Sequence, residues 1–126
     1  MRFLMIYTPD EEATKKNEAG VPPTEKEMAA MGKLIEDMAK AGVLLATEGC
    51  QASAKGAKVK RTGKDVKVTD GPFTEAKEIV GGFAIVKADS KAEAIKLAKT
   101  FLDVAGDGET RIFQLHEQAA FTREGQ

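Results

Sequence analysis

The feature that most constrains the fold is a strand–helix–strand pattern that occurs twice, once on each side of a hairpin. In the first copy, an apolar run at 3–7 is followed by an amphipathic segment and by a second apolar run at 43–47. In the second copy, strand-like residues at 79–86 and 111–115 flank another amphipathic segment. This order predicts an α+β, ferredoxin-like split βαβ fold, with an antiparallel sheet, an inserted β-hairpin and two helices on one face.

Both predicted helices begin with the spacing of a capping box, in which a hydroxyl and a carboxylate three residues apart satisfy free backbone amides. Apolar residues then recur at intervals of three and four, which is typical of a helix with one buried face. A glycine follows each stripe, at Gly42 and at Gly106, where a helix cap needs a positive φ. The two capping pairs are Thr24 with Glu27 and Ser90 with Glu93.

The middle of the chain predicts the hairpin. Ala57 and Val59 on one arm, and Val66 and Val68 on the other, alternate with charged residues, so that one face is apolar. Thr62-Gly63 is the predicted turn. Outside these elements, residues 11–23 are polar and predict a loop, with a short helical turn as the alternative, and residues 118–126 predict a tail.

Length and composition exclude several classes of protein. A chain of 126 residues suits a single domain spanning 1–126. A net charge of -1 argues against nucleic-acid binding, and no apolar run is long enough to span a membrane. Cys50 is the only cysteine and His116 the only histidine, so a disulfide framework and a zinc site are both disfavoured. We expect a cytoplasmic protein with no metal and no cofactor.

The strands themselves predict a partner. Residues 3–7 and 83–86 are almost continuously apolar, as in strands that are covered on both faces. Two helices on one side of the sheet leave its other face bare. A second copy of the chain can cover this face with the same apolar surface, and we therefore expect a homodimer.

The densest cluster of charged residues follows the hairpin. Asp70, Glu75, Lys77 and Glu78 surround the rigid turn at 71–72, and such a loop is suited to hold a ligand at low entropic cost. The structural alternative is that Asp70 stabilises its own turn while the other charges are solvated.

The run Asp-Gly-Pro-Phe-Thr-Glu-Ala-Lys-Glu at 70–78, followed by Gly-Gly-Phe at 81–83, resembles the signature of the YCII-related proteins, in the branch named after its DGPF motif. The resemblance extends over nearly the whole chain. It implies a dimeric, ferredoxin-like member of the dimeric α+β barrel superfamily, in which some relatives act on small ring compounds such as lactones. It also implies an acid–base pair of a His and an Asp, which in this sequence leaves Asp70 and His116 as the candidate catalytic residues.

Other side chains are candidates for ligand contacts. Tyr7 has a hydroxyl at the end of an apolar strand, and Arg111 in the last strand is a possible carboxylate clamp. With Glu75, Lys77 and Glu78 they form the predicted ligand-binding set. For each, the alternative is a structural or solvated role.

Three functions follow from these residues. The first is the binding of a small organic ligand, a carboxylate or a lactone-like compound, in a pocket near the loop formed by residues 70–78, here called the DGPF loop. The second is a small-molecule lyase or isomerase that uses the same pocket. The third is a structural or regulatory interaction protein that binds no ligand.

Overall fold

A computed structural model describes residues 1–117, so the tail predicted at 118–126 lies outside the described residues. The described chain contains six strands and three helices, together with short 3₁₀ turns at Ser53–Lys55 and Ala76–Glu78. In chain order the elements are β1 (Arg2–Pro9), α1 (Glu11–Glu18), α2 (Glu25–Lys40), β2 (Leu44–Gly49), β3 (Ala57–Thr62), β4 (Asp65–Asp70), β5 (Gly82–Lys87), α3 (Lys91–Ala105) and β6 (Gly108–Gln114).

The main sheet has four strands in the order β2-β5-β1-β6, and every neighbouring pair is antiparallel. This is the strand order of the ferredoxin-like fold, and the predicted α+β class is confirmed. Strands β3 and β4 pair only with each other and form the inserted hairpin. Its turn is Gly63-Lys64 and not the predicted Thr62-Gly63, because Thr62 already pairs with Asp65. Gly63 has a φ of 64°, the conformation that a two-residue hairpin turn needs at its first position.

The capping signals place the starts of α2 and α3. Both hydrogen bonds of the capping box form between Thr24 and Glu27. At α3 the Ser90 hydroxyl accepts from the Glu93 amide, while the Glu93 carboxylate accepts from the amide of Asp89, one residue earlier than the pattern predicts. The starts of both helices were therefore predictable from local chemistry.

Residues 11–23 were predicted as a loop with at most a short helical turn, and their first part is the eight-residue helix α1. The Asp10 side chain accepts from the amide of Ala13 and caps the helix. Ion pairs between residues four apart, including Lys15 with Glu11, line its exposed surface. None of its residues is buried, so the helix has no apolar stripe by which to recognise it.

The core lies between the sheet and the two longer helices. Phe3 and Val86 face each other across β1 and β5 and are fully buried, and Ala94 and Ala98 of α3 pack into the same cluster. Alternation along the strands sends the next residues to the opposite face. That face carries Leu4, Ile6, Phe83, Ile85 and Phe113, all of them partly or largely exposed.

No helix in the described part of the chain is long and apolar enough to cross a membrane.

Candidate functional site

The principal candidate site is a cavity of about 740 Å³ between the main sheet and the helices α2 and α3. Its walls are mostly apolar. Met5 and Ala84 contribute from the sheet, Met31 and Ile35 from α2, and Leu97 from α3. A volume of this size and character is that of a pocket for a small organic molecule.

Two hydroxyl-bearing residues line the cavity side by side. Tyr7 on β1 is directly opposite Thr110 on β6 in the strand register. The Tyr7 hydroxyl donates a hydrogen bond to the carbonyl oxygen of Asp107 at 3.2 Å. The Tyr7 ring meets Phe101 edge to face at 5.1 Å between centroids, so its orientation is fixed by packing.

The surroundings of Tyr7 keep its hydroxyl neutral. Burial raises the pKa of the phenol above its usual value, and the nearby carboxylates of Asp10 and Asp107 raise it further. A protonated phenol that donates to a backbone carbonyl still has lone pairs free to accept a hydrogen bond. Tyr7 is thus a neutral donor and acceptor at the cavity wall.

Thr110 has an unusual hydrogen-bonding state. Its Oγ1 atom is buried and has no hydrogen-bond partner among the described residues. Buried hydroxyls are usually paired, and an unpaired one costs about 1–3 kcal/mol.

The wall formed by α2 is both adaptable and open. Met28, Met31 and Met38 lie along it, and unbranched methionine side chains adjust readily to the shape of a ligand. Gly32 lies among them, in the middle of the helix. A Cβ added at Gly32 would meet no atom within 4 Å. Neither packing nor backbone conformation therefore requires glycine at this position.

A second, smaller cavity of about 340 Å³ lies at the end of β1 and the start of β6. Lys77 and Arg111, two of the predicted ligand-binding residues, both line it. Asp10 and Glu109 line it as well, so its charges are mixed.

The DGPF loop is held by a chain of hydrogen bonds that begins at the end of α1. Glu18 accepts from the amide of Ser53 at 2.6 Å and from the Ser53 hydroxyl. The same hydroxyl accepts from the amide of Phe73 at 2.8 Å. Next to it, a Cβ on Gly71 would overlap the backbone carbonyl of Ser53. These contacts explain the Gly of the motif and fix the backbone at Phe73, so that both residues belong to a structural junction.

The acidic residues after the motif have cationic partners. Glu78 forms an ion pair of 2.8 Å with Lys58 of the hairpin, and the Lys58 ammonium also lies 5.4 Å from the centre of the Phe73 ring. Glu75 pairs with Lys77 at 3.3 Å, and both side chains are largely exposed.

The predicted residues are spread over several places. Of the predicted set, the large cavity is lined by Tyr7 alone, and Lys77 and Arg111 share the smaller cavity. Asp70 pairs with Ala57 at the base of the hairpin, whereas His116 follows β6 and accepts at its backbone oxygen from Arg2. Because Arg2 begins β1, His116 lies at that end of the main sheet.

Cys50 is exposed, and no group of three or more potential metal ligands occurs within residues 1–117.

These features define a small ferredoxin-like α+β protein with a ligand-sized apolar cavity. A model of the YCII-related domain matches residues 1–108, and the chain belongs to this family. A similar solved structure is the 5-chloro-2-hydroxyhydroquinone dehydrochlorinase TftG of Burkholderia phenoliruptrix AC1100, in complex with 2,5-dihydroxybenzoquinone. The two chains share 15% identity and a TM-score of 0.50 over 92% of this chain and 94% of that one. No curated protein matches the sequence.

Thr110 and Gly32 were not predicted as site residues. Thr110 becomes significant only through its pairing with Tyr7, a contact between residues far apart in sequence. Gly32 could have been noticed in the sequence, because a glycine in the middle of a well-capped amphipathic helix lowers stability relative to alanine.

Proposed function

We propose that this YCII-related protein binds a small organic ligand, a carboxylate or a lactone-like compound, in the cavity between the main sheet and the helices α2 and α3. The observation that carries the proposal is the cavity itself, with apolar walls and two polar residues, Tyr7 and Thr110, that lie opposite each other on neighbouring strands. Apolar walls supply affinity for a ring or chain, and a few polar groups orient it. The similar TftG structure is a complex with 2,5-dihydroxybenzoquinone, a small organic ring compound.

The DGPF loop has a supporting part in this proposal. The loop itself does not line the large cavity, but Gly81 and Gly82, which follow it, do. Gly81 donates to the backbone oxygen of Tyr7 at 2.7 Å, and a Cβ at Gly81 would clash with Pro9. The segment after the motif therefore packs closely against the strand that carries Tyr7, and we expect it to hold that strand end in place.

The protein is further proposed to act as a homodimer. The face of the main sheet opposite the helices carries five large apolar side chains that the described chain leaves partly or largely exposed: Leu4, Ile6, Phe83, Ile85 and Phe113. A contiguous apolar surface of this kind is typical of an interface. A second copy presents the same surface, and two sheets packed face to face bury both.

A melting-temperature screen against small carboxylates and lactones tests the binding function, because a ligand that binds only the folded protein raises its melting temperature. Val104 lines the cavity and Asp103 does not. Val104→Trp is expected to remove the shift produced by a bound compound, and Asp103→Trp, a matched change on the next residue, is expected to keep it. Absence of a shift with every compound, or loss of the shift in both variants alike, would contradict the proposal.

A further inference from the structure

We infer that the two copies of the proposed homodimer pack with their strands aligned, so that Glu48 of each copy forms an ion pair with the partner's Arg111. The inference rests on the homodimer proposed above and deepens it by naming the residues that set its orientation. It is drawn from the strand register, from the charges at the two edges of the main sheet, and from the sizes of the side chains between those edges.

One row of residues crosses the face of the main sheet opposite the helices, here called the open face, with opposite charges at its ends. Phe83 pairs with Glu48 on one side and with Ile6 on the other, and Ile6 pairs in turn with Arg111. Residues directly opposite each other in neighbouring strands lie on the same face of a sheet. The row therefore runs from an acidic residue on the edge strand β2, over two apolar side chains, to a basic residue on the edge strand β6.

The two charged residues of this row are kept apart within one chain. Three strand spacings, about 14 Å, separate Glu48 from Arg111, and the side chains of Phe83 and Ile6 stand between them. Both charged side chains belong to exposed residues, and within residues 1–117 neither takes part in an ion pair. A carboxylate and a guanidinium are thus unpaired at opposite edges of an apolar surface.

A two-fold axis parallel to the strands brings these two charges together across the interface. Because the strand order is β2-β5-β1-β6, an axis along the middle of the sheet places β2 over the partner's β6 and β5 over the partner's β1. Glu48 then lies over the partner's Arg111, and the symmetry makes this contact twice. Packed sheets are about 10 Å apart, a gap that a Glu and an Arg side chain span together.

The next row of the open face fits the same arrangement by size. Ala46, Ile85, Leu4 and Phe113 follow one another across the sheet in that order. The axis along the strands sets the small Ala46 against the partner's Phe113, whose own side chain is 45% exposed in the single chain. It also sets Ile85 against the partner's Leu4. A large side chain opposite a small one lets two packed sheets interdigitate without a void.

An axis perpendicular to the strands loses both contacts. Each edge strand then lies over its own copy, β2 over β2 and β6 over β6. Glu48 has no cation in reach, Arg111 has no carboxylate from the partner's β2, and an ion left unpaired in an interface is strongly unfavourable. Aligned sheets usually cross at about 30° because each is twisted, which moves their edges by roughly one residue. The long side chains of Glu and Arg absorb an offset of that size.

The charges at the two ends of the open face contribute less. Arg2 and Lys87 lie opposite each other at one end, and Glu109 lies near the other. These positions form the rim of the face, where water and salt screen charges from one another. The orientation is therefore set by the residues that lie within the face and along its edges.

The test exchanges the two charges. Glu48→Arg places two cations opposite each other across the interface, and Arg111→Glu places two carboxylates there. Each variant is expected to raise the dissociation constant of the dimer at least about tenfold. An equimolar mixture of the two variants is expected to form a heterodimer about as stable as the wild-type dimer, since both of its contacts join opposite charges. Sedimentation equilibrium measures the constants, and native mass spectrometry identifies the heterodimer.

Further variants serve as controls. The double variant Glu48→Arg with Arg111→Glu is expected to dimerise like the wild type. Asp103→Arg and Lys99→Glu make the same kinds of charge change on exposed residues of α3 and should leave dimerisation unchanged. If circular dichroism shows that a reversed variant does not fold, Glu48→Gln and Arg111→Gln replace it. The double Gln variant is then expected to lose less affinity than the sum of the two single losses.

The possible outcomes separate this inference from the homodimer itself. Unchanged affinity in Glu48→Arg and Arg111→Glu would overturn the inference and leave the homodimer intact, and so would weakening in both without recovery in their mixture. Recovery in the double variant but not in the mixture would place the contact within one chain and would also overturn the inference. A wild-type protein that is monomeric at high concentration would overturn the homodimer, and the inference with it.

Discussion

Gly71 packs against the backbone carbonyl of Ser53 so closely that a side chain at position 71 has no room. The contact joins the DGPF loop to the 3₁₀ turn Ser53–Lys55. Since the obstacle is backbone and not the end of a flexible side chain, it cannot move aside cheaply. The glycine of the motif is therefore required by packing, whatever chemistry the loop performs.

Gly71→Ala is expected to lower the free energy of unfolding by about 1–3 kcal/mol, the usual cost of forcing extra atoms into a packed site. Urea denaturation followed by circular dichroism measures the change. The matched control is Gly32→Ala, for which we expect a gain of about 0.5–1 kcal/mol from helix propensity, since nothing lies near the added methyl group. Equal effects of the two substitutions would contradict the assignment of Gly71 to a packed junction.

The hydroxyl of Ser53 connects the end of α1 to the DGPF loop. It donates to Glu18 and accepts from the amide of Phe73. Ser53→Ala removes both bonds and leaves a partly buried amide without its partner, so we expect a loss of about 1–3 kcal/mol. The rate of hydrogen exchange at the Phe73 amide should rise, because that amide has lost its hydrogen bond. Lys55→Ala, in the same turn, is the control and should change stability little, because its side-chain contact is exposed.

Much of the main sheet was predictable from sequence because its signals are local. The apolar strands, the capping residues and the helix-ending glycines each act within a few positions, and they identified β1, α2, α3 and β6 to within a few residues. The helix α1 was predicted only as a short helical turn within a loop, because it is polar on every side and depends on capping by Asp10 and on pairs such as Lys15 with Glu11.

The candidate site was less predictable because it depends on contacts between distant parts of the chain. Tyr7 was recognisable as a polar tip on an apolar strand. Thr110 was not, since its importance comes from the antiparallel register that places it opposite Tyr7. The charged residues around the DGPF loop were predicted to bind a ligand because they lie close together in the sequence. In the structure, Glu78 and Glu75 each form an ion pair with a lysine.

The contact between Lys58 and the DGPF loop is expected to contribute modestly to the free energy of unfolding. Its ammonium meets the half-buried Glu78 carboxylate and the face of Phe73. Lys58→Met keeps most of the side-chain length and removes the charge, and we expect a loss of about 0.5–1 kcal/mol that shrinks in high salt. Lys60→Met, on the same strand, is the control. A loss that does not depend on salt would show that the charge of Lys58 is not what stabilises the loop.

In the proposed dimer, the face of the main sheet opposite the helices is buried, so a charged side chain introduced there should destabilise the dimer. Ile85 lies on a central strand of that face, opposite Leu4. Ile85→Lys is expected to convert the dimer to a monomer, because an unpaired ammonium buried in an apolar interface is strongly unfavourable. Light scattering after size-exclusion chromatography measures the mass. Val66→Lys on the exposed hairpin is the control and should remain dimeric. A monomeric wild-type protein at high concentration would contradict the proposal.

The alkaline stability of the protein should depend on Tyr7. Burial, and then the charges of Asp10 and Asp107, raise the pKa of this phenol in the folded state above the ordinary value of 10.0. The unfolded chain therefore loses the proton first as the pH rises. The stabilisation is complete below the unfolded pKa and is lost as the pH rises through the folded pKa, so we expect the melting temperature to fall above about pH 10.

Tyr7→Phe has no proton to lose and should show a smaller fall over the same range. Tyr7 is the only tyrosine and the chain has no tryptophan, so phenolate absorbance reports this one group directly. A titration midpoint at or below that of a free tyrosine would contradict the prediction, and so would an equal loss of stability in Tyr7→Phe.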